Sequence, residues 1–359
     1  MDLAHPSDIE RWLLDHASPE PLNSAGALYE LMPRQRGGQL PFVDVPYDAR
    51  REEHWADAAR VADYVAHTPE RARRVLDVGP GDGWPALPIA AARPDIEVVG
   101  VDPAAQRTRV CAANAERLGI ANAWFVTGDA GSLPFADASF DLVTAASALE
   151  EADDPEAVFA ELRRVLSRGG VLRASYQDWR LAAPEIETVL LWDGVAEQET
   201  PDATPLLLYT YVHRLQDPAI ERRWTLELPA EGEARKVHQQ ALVASASGRR
   251  AYGETLLTPS TAAGLGVPLL ERLAPLARRC TVVEMRRWTT EWLVGALGAA
   301  GFPEVHSTAH PGDIARHVGR ELIARGDVDA VAPHFEALTT AIGVAAGRRP
   351  GRDMVVARR

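Results

Sequence analysis

The chain is short of cysteine: Cys111 and Cys280 are the only two among 359 residues. Two thiols this far apart leave no disulfide framework and no CxxC metal pair. Positive charge is also in deficit. A formal net charge of -13 argues against a nucleic-acid partner, whose affinity would rest on Lys and Arg neutralising phosphates. The pairs Arg222-Arg223, Arg249-Arg250, Arg278-Arg279 and Arg286-Arg287 are scattered and read as solvated faces. No stretch approaches the roughly 18 apolar residues that span a bilayer. The opening MDLAHPSDIE has acids and a proline where a secretory signal has a basic and then an apolar segment. A cytoplasmic location with no membrane partner is therefore expected. His306 with His310, and His317 with Glu321, fall at metal-like spacings. HisxxxHis on a strand-to-loop segment does not put both rings on one helical face, and no acid completes a pattern, so no metal is expected.

What remains is ordinary for a globular chain, with 46% hydrophobic and 25% charged residues. Residues 1–72 hold two helical patterns, PSDIERWLLDHA with Ser7 as N-cap and REEHWADAARVADYVAH, and are expected to form a helical lid. Residues 73–176 alternate strand and helix. RRVLDVG, IEVVGVD, NAWFVTGD, FDLVTAAS and VLRASY read as five strands. WPALPIAAARP, AQRTRVCAANAERLG and DPEAVFAELRRVLSRGG read as helices, with Gly119 and Asp154 as caps. This alternation predicts an α/β, Rossmann-like parallel sheet with helices on both faces and a ligand at the carboxyl ends of its strands. Residues 177–285 are expected to form an α+β cap insertion. In it PEIETVLLWDGVAEQ, ARKVHQQALVASASG and PLLERLAPLARR read as helices, and TPLLLYTYVHRLQDPAIERRWTLELP as a hairpin. Residues 286–359 would complete the sheet around a helical insertion at 311–346.

The glycines of VLDVGPGDGWP carry the chemistry. A Walker loop needs a lysine that is missing, and a GxGxxG dinucleotide loop would need glycine where Trp84 stands. The spacing is Asp77-x-Gly79-x-Gly81-x-Gly83. Asp102 ends the next strand about twenty residues on, where an acid is placed for ribose hydroxyls. Asp129 ends the third strand, in GDAGSLPFADASFD. The loop, the two acids and the ordered strands resemble the class I S-adenosylmethionine-dependent methyltransferases. The likeness is close over 73–176 and resumes at RRWTTEWLVGALGAAGFPEVHSTA and GRDMVVARR, which look like the family's late helix and its sixth and seventh strands.

The resemblance implies a seven-stranded fold and S-adenosylmethionine as cofactor. Gly79, Gly81 and Gly83 would meet its carboxylate, Asp77 its ammonium, Asp102 its ribose, and Asp129 with Ala130 its adenine. Ser147, closing the fourth strand, joins the cofactor set. Many relatives carry a His-His pair after that strand; Ala148-Leu149-Glu150-Glu151 stands there instead. Glu150 is the tentative base, with the turn before the next helix as its plainer role. Tyr176, at the end of the fifth strand, is the second catalytic candidate. Tyr29, Trp55 and Trp179 are candidate cap residues for a small-molecule acceptor, each with core packing as its plainer role. Three functions stay open: methyl transfer to a small molecule, intramolecular cyclisation of the cofactor to azetidine-2-carboxylate with release of methylthioadenosine, and non-catalytic cofactor binding.

Overall fold

The computed structural model describes residues 5–22, 47–182, 187–192, 204–214, 218–244, 249–251, 254–257 and 266–359. Tyr29 lies outside them. The described helices are α1 (Asp8–Ala17), α2 (Glu52–Ala66), α3 (Ala86–Ala92), α4 (Ala105–Leu118), α5 (Pro155–Val165), α6 (Trp179–Ala182), α7 (Gly232–Ala244), α8 (Gly266–Leu273), α9 (Thr290–Ala299), α10 (Pro311–Arg325), α11 (Val328–Val331) and α12 (Phe335–Ala346). The strands are β1 (Glu20–Pro21), β2 (Arg74–Val78), β3 (Glu97–Asp102), β4 (Ala123–Thr127), β5 (Phe140–Ala146), β6 (Leu166–Ser175) and β7 (Glu187–Trp192). After them come β8 (Leu206–His213), β9 (Ala219–Glu227), β10 (Arg249–Ala251), β11 (Glu254–Leu257), β12 (Arg279–Arg287), β13 (Glu304–Ala309) and β14 (Asp353–Arg358). The chain divides into two compact units, Met1–Gly38 with Ala183–Arg287, and Gln39–Ala182 with Trp288–Arg359.

The second unit is a seven-stranded sheet in the order β13-β14-β6-β5-β2-β3-β4. Strands β2 to β6 are mutually parallel, and β14 is antiparallel to both β6 and β13. Alternate residues feed two cores. Leu76, Val143 and Leu172 pack with Phe159 and Leu162 of α5 and Leu293 of α9. Their neighbours Val75, Leu142 and Val171 pack on the other face with Tyr64 of α2 and Leu87 and Ile89 of α3. Burial on both faces is why these strands are nearly continuous apolar runs. Asp154 caps α5 by accepting the Ala157 amide at 3.0 Å, and Gly119 closes α4 in the left-handed region. Helix α3 starts at Ala86, so Pro85 and Pro88 fall at its cap and first turn, where N–H groups have no intrahelical acceptor anyway.

Helices α2, α10 and α12 pack around Trp55, which is fully buried. Its indole N–H donates to the Ala49 carbonyl at 2.8 Å and its ring meets Phe335 edge-on. Trp55 is thus a core residue, the plainer of its two sequence readings, and not a cap residue. Helix α12 approaches α2 through Gly343, where an added Cβ would stand 2.6 Å from the Ala59 carbonyl oxygen and 2.9 Å from the Asp63 nitrogen. A helical Gly→Ala change ordinarily gains about 1 kcal/mol. Backbone atoms cannot yield as a side-chain tip does, so Gly343→Ala is expected to show a net loss of about 1–2 kcal/mol in urea unfolding. A gain in stability would contradict this packing.

The first unit is also built on seven strands, in the order β1-β12-β9-β8-β7-β11-β10. All pairings are antiparallel except β1 with β12. One face carries Leu13 of α1, Val237 of α7 and Leu273 of α8 over Leu207, Trp224 and Val282. The capping box at Ser7 is present, and Glu10 has a second task. Its fully buried carboxylate accepts the Trp224 indole N–H at 3.2 Å and lies 2.9 Å from His213 Nε2, tying α1 to β8 and β9.

The expected hairpin is β8–β9. Of the expected helix at 184–198, the described residues 187–192 form strand β7 instead: a short apolar run carries no helical period, and its pairing with β8 and β11 decided the matter. The helix expected over PLLERLAPLARR ends at Leu273, where a 3-10 turn at Ala274–Leu276 takes over before β12 begins at Arg279. The expected lid, 1–72, is not one body, since α1 packs in the first unit and α2 in the second.

Candidate functional site

Strand β2 delivers the chain into the glycine loop at the carboxyl edge of the parallel sheet. Gly79, Gly81 and Gly83 have φ of 68°, 58° and 112°. Side chains rarely adopt such values. A Cβ at Gly79 would meet Ala148 Cβ at 2.4 Å, and one at Gly83 would meet Leu87 at 2.3 Å. A Cβ at Gly81 would meet nothing within 4 Å. Gly79 and Gly83 are therefore closed in by the protein, whereas Gly81 faces open space.

Asp77, just inside the loop, is fully buried. Its carboxylate accepts the Ala86 amide at 3.0 Å and the Thr144 hydroxyl at 2.8 Å. Burial pushes its pKa up to about 7, against the pull of those two donors, and the charge of Asp102 adds to the rise. Sequence placed Asp77 against a ligand ammonium; in the structure it holds the start of α3 and presents no exposed oxygen.

Asp102 closes β3 and is 7% exposed. It accepts the Ala104 amide at 2.9 Å. Burial raises its pKa to about 6; the Ala104 amide and Arg107 oppose the rise and Glu151 adds to it. Asp129 follows β4, exposed, and accepts the Gly131 amide at 3.0 Å. Its charge reaches Asp153, whose pKa is pushed up to about 6 by burial first and Asp129 second. Ala130 packs at the margin of the sheet core. Ser147 is exposed at the end of β5 with φ of 51°, its amide donating to the Ser175 carbonyl at 2.9 Å. A non-glycine residue held left-handed at a strand end is an uncommon arrangement, of the kind found at ligand sites.

The two catalytic candidates are both engaged. Glu150 is buried and accepts the Gln177 amide at 2.7 Å. Tyr176 is 4% exposed, inside the core beneath α9. Its hydroxyl donates to Thr290 Oγ1 at 2.7 Å, and Thr290 in turn donates to Asp178 at 2.7 Å. Burial pushes the phenol up to about 12. Strand-end placement suggested an open tyrosine, but the Thr290–Asp178 chain turns it inward. Trp179, half-buried at the start of α6, joins the same segment through its amide to the Trp288 carbonyl at 3.2 Å.

Sequence reasoning missed the underside of the loop. Arg107 donates to Asp82 at 3.0 Å, Asn114 to the Asp82 carbonyl at 2.9 Å, and the Cys111 thiol to the Gly81 carbonyl at 3.2 Å. The signal was present, since α4 turns Arg107, Cys111 and Asn114 toward the protein at helical spacing. Among the described residues no cluster of His, Cys, Asp and Glu could hold a metal, and no helix is long and apolar enough to cross a membrane.

A parallel sheet closed by the antiparallel strand β14, with a glycine loop after β2 and an acid ending β3, defines a Rossmann-like fold of the class I methyltransferase type. Residues 76–174 match the family described as Methyltransferase domain. A demethylmenaquinone methyltransferase of Deinococcus radiodurans is 41% identical over 120 residues, 33% of this chain and 47% of that protein. The crystal structure of YcgJ from Bacillus subtilis shares 32% identity over 33% of this chain and 50% of that one, with a TM-score of 0.30. The [4+2]-cyclase SpnF aligns over 95% of this chain and 97% of its own at 20% identity and a TM-score of 0.43. The chain spans just under half the length of the Deinococcus protein and 38% of the Bacillus methyltransferase YcgJ. Residues 76–174 are thus a methyltransferase domain of the class I type, whose cofactor is S-adenosylmethionine.

Proposed function

We propose that the protein transfers the methyl group of S-adenosylmethionine to a small-molecule acceptor. The observation that carries this reading is the space beside Gly81, where a Cβ would meet nothing within 4 Å, in a glycine loop whose Gly81 amide reaches the Asp102 carboxylate at the end of β3. Loop amides there can approach the cofactor's carboxylate with no Cβ in the way. Asp102 accepts from the ribose hydroxyls, Asp129 and Ala130 flank the adenine, and Ser147 lines the methionine end. Asp77 supports this cradle from below, through α3. The bound cofactor supplies an electrophilic methyl group on a sulfonium. Aligning a good nucleophile with it supplies most of the needed rate, so an obvious base is not required. Relatives named for demethylmenaquinone and for sterol support an acceptor of small-molecule size.

The test begins without an acceptor. The purified protein is incubated with S-adenosylmethionine alone, and the products are followed by mass spectrometry. The expected result is cofactor bound and intact, followed by methylation of one member of a metabolite panel. Methylthioadenosine with azetidine-2-carboxylate, formed faster than in buffer, would replace methyl transfer by intramolecular cyclisation. Failure to bind the cofactor would overturn the site itself.

A further inference from the structure

Helix α4 buries Arg107, Cys111 and Asn114, polar groups on the face where a sheet-packed helix usually buries apolar ones. They stand at i, i+4 and i+7 and therefore on one stripe. All three reach the same two residues of the glycine loop, Gly81 and Asp82. Asp82 and Arg107 are 3% and 6% exposed, so their pairing is shielded from solvent. A loop with three glycines is free to sample many conformations when unliganded. A fixed loop spares the ligand that ordering cost.

Arg107 also acts on Asp102. The other groups interacting with that carboxylate are Glu151 from the turn after β5, Asp77 from β2, the Gly81 amide from the loop and the Cys111 thiol from α4. The carboxylates oppose a charge on Asp102, and burial holds the thiol neutral. Arg107 is the one cation in this set.

We propose that the polar face of α4 is a clamp on the glycine loop and that Arg107 is a positioning residue for cofactor binding, anchoring the loop through Asp82 while setting a positive charge beside Asp102. This rests on the reading that the loop and Asp102 hold S-adenosylmethionine. A purely structural ion pair would change stability and leave the pH dependence of binding alone. The clamp changes both the strength of binding and the pH at which it sets in.

The experiment is calorimetric titration of S-adenosylmethionine into the full chain between pH 5.5 and 8.5, with folding checked by circular dichroism. Wild type is expected to bind more tightly as pH rises through about 6. If wild type does not bind at any pH, the cofactor site itself is refuted, an outcome distinct from failure of the clamp. Arg107→Met is expected to bind about tenfold more weakly at pH 8, with its midpoint moved upward so that the deficit grows toward pH 6. Arg107→Lys should restore the midpoint but only part of the affinity, because an ammonium lacks the forked geometry. Wild-type binding by Arg107→Met, or a deficit equal at every pH, overturns the proposal. If that variant does not fold, Asp82→Asn decides. It keeps the Arg107 charge and removes its anchor, so affinity should fall while the midpoint stays or drops; unchanged affinity or an upward midpoint overturns the clamp.

Discussion

Replacing Asp102 by alanine is expected to weaken S-adenosylmethionine binding by about 1.5–3 kcal/mol, roughly ten- to 150-fold in the dissociation constant. The carboxylate ends β3 at the open side of the sheet, and one of its oxygens already takes the Ala104 amide. The Gly81 amide of the loop also reaches this carboxylate, and its remaining lone pairs are those offered to a ribose diol. A neutral alanine leaves those hydroxyls facing a site from which water is largely excluded. Asp102→Asn is the sharper control, since it keeps the shape and removes the charge, and it should lose most of the same energy. The pH dependence follows from the sign of the shift. Burial raises Asp102 to about 6 in the free protein. If the bound form requires the carboxylate, binding releases a proton below that value and affinity falls by up to about tenfold per pH unit. Above it, the dependence from this group flattens. Calorimetry of wild type and both variants measures all of this. Equal affinity for Asp102→Ala and wild type would remove Asp102 from the site.

The largest stability effect is expected at Arg173→Met, a loss of about 3–5 kcal/mol. Arg173 of β6 donates to both oxygens of Asp63 on α2, at 2.7 and 2.5 Å. The pair is 2% and 0% exposed. Burial pushes the Asp63 pKa up, but hydrogen bonds from His67 and Arg173 outweigh it and hold the acid below its ordinary value. Gly347 seals the pair: a Cβ there would stand 2.4 Å from Asp63 Oδ1 and 2.6 Å from Arg173. Methionine fills much of the arginine volume, so the loss measures a carboxylate left buried without its partner, not a cavity. The double variant Asp63→Leu/Arg173→Met should recover a large part of the loss, because replacing both ions by apolar groups is far less costly than removing one. Urea denaturation of the single and double variants provides the comparison. A single variant within about 0.5 kcal/mol of wild type would show that the pair carries no weight.

These two acids show how differently sequence exposes a site and a fold. Asp102 stood out as a candidate because its position depends on local order alone: strand, glycine loop, helix, strand, then an acid. Asp63 looks from sequence like any polar residue on α2; its importance comes from Arg173, 110 residues away. Tyr176 was misjudged for the same reason. Its place at the end of β6 was correct, but Thr290 and Asp178 supply a hydrogen-bond chain that turns it into the core. Trp55 belongs to an interhelical core made by α10 and α12, whose packing on α2 no local pattern states. Strand β7 was mistaken for a helix because its run of four apolar residues, Val189 to Trp192, fits either period, and its two pairing partners distinguish them.

By itself, the sequence determined the cofactor-binding architecture. Alternating apolar runs and helical stripes dictate the parallel sheet, and glycine spacing with one acid marks the edge at which the cofactor is proposed to meet it. Those are short-range facts, set by backbone sterics and by periodicity within one element. Tertiary structure alone decided which polar side chains are tied up within the fold. It turned Asp77 toward α3, Tyr176 toward Thr290, and Arg107 toward the underside of the loop. The physical reason is that a buried polar group must find a partner, and partners are chosen by proximity in space rather than along the chain.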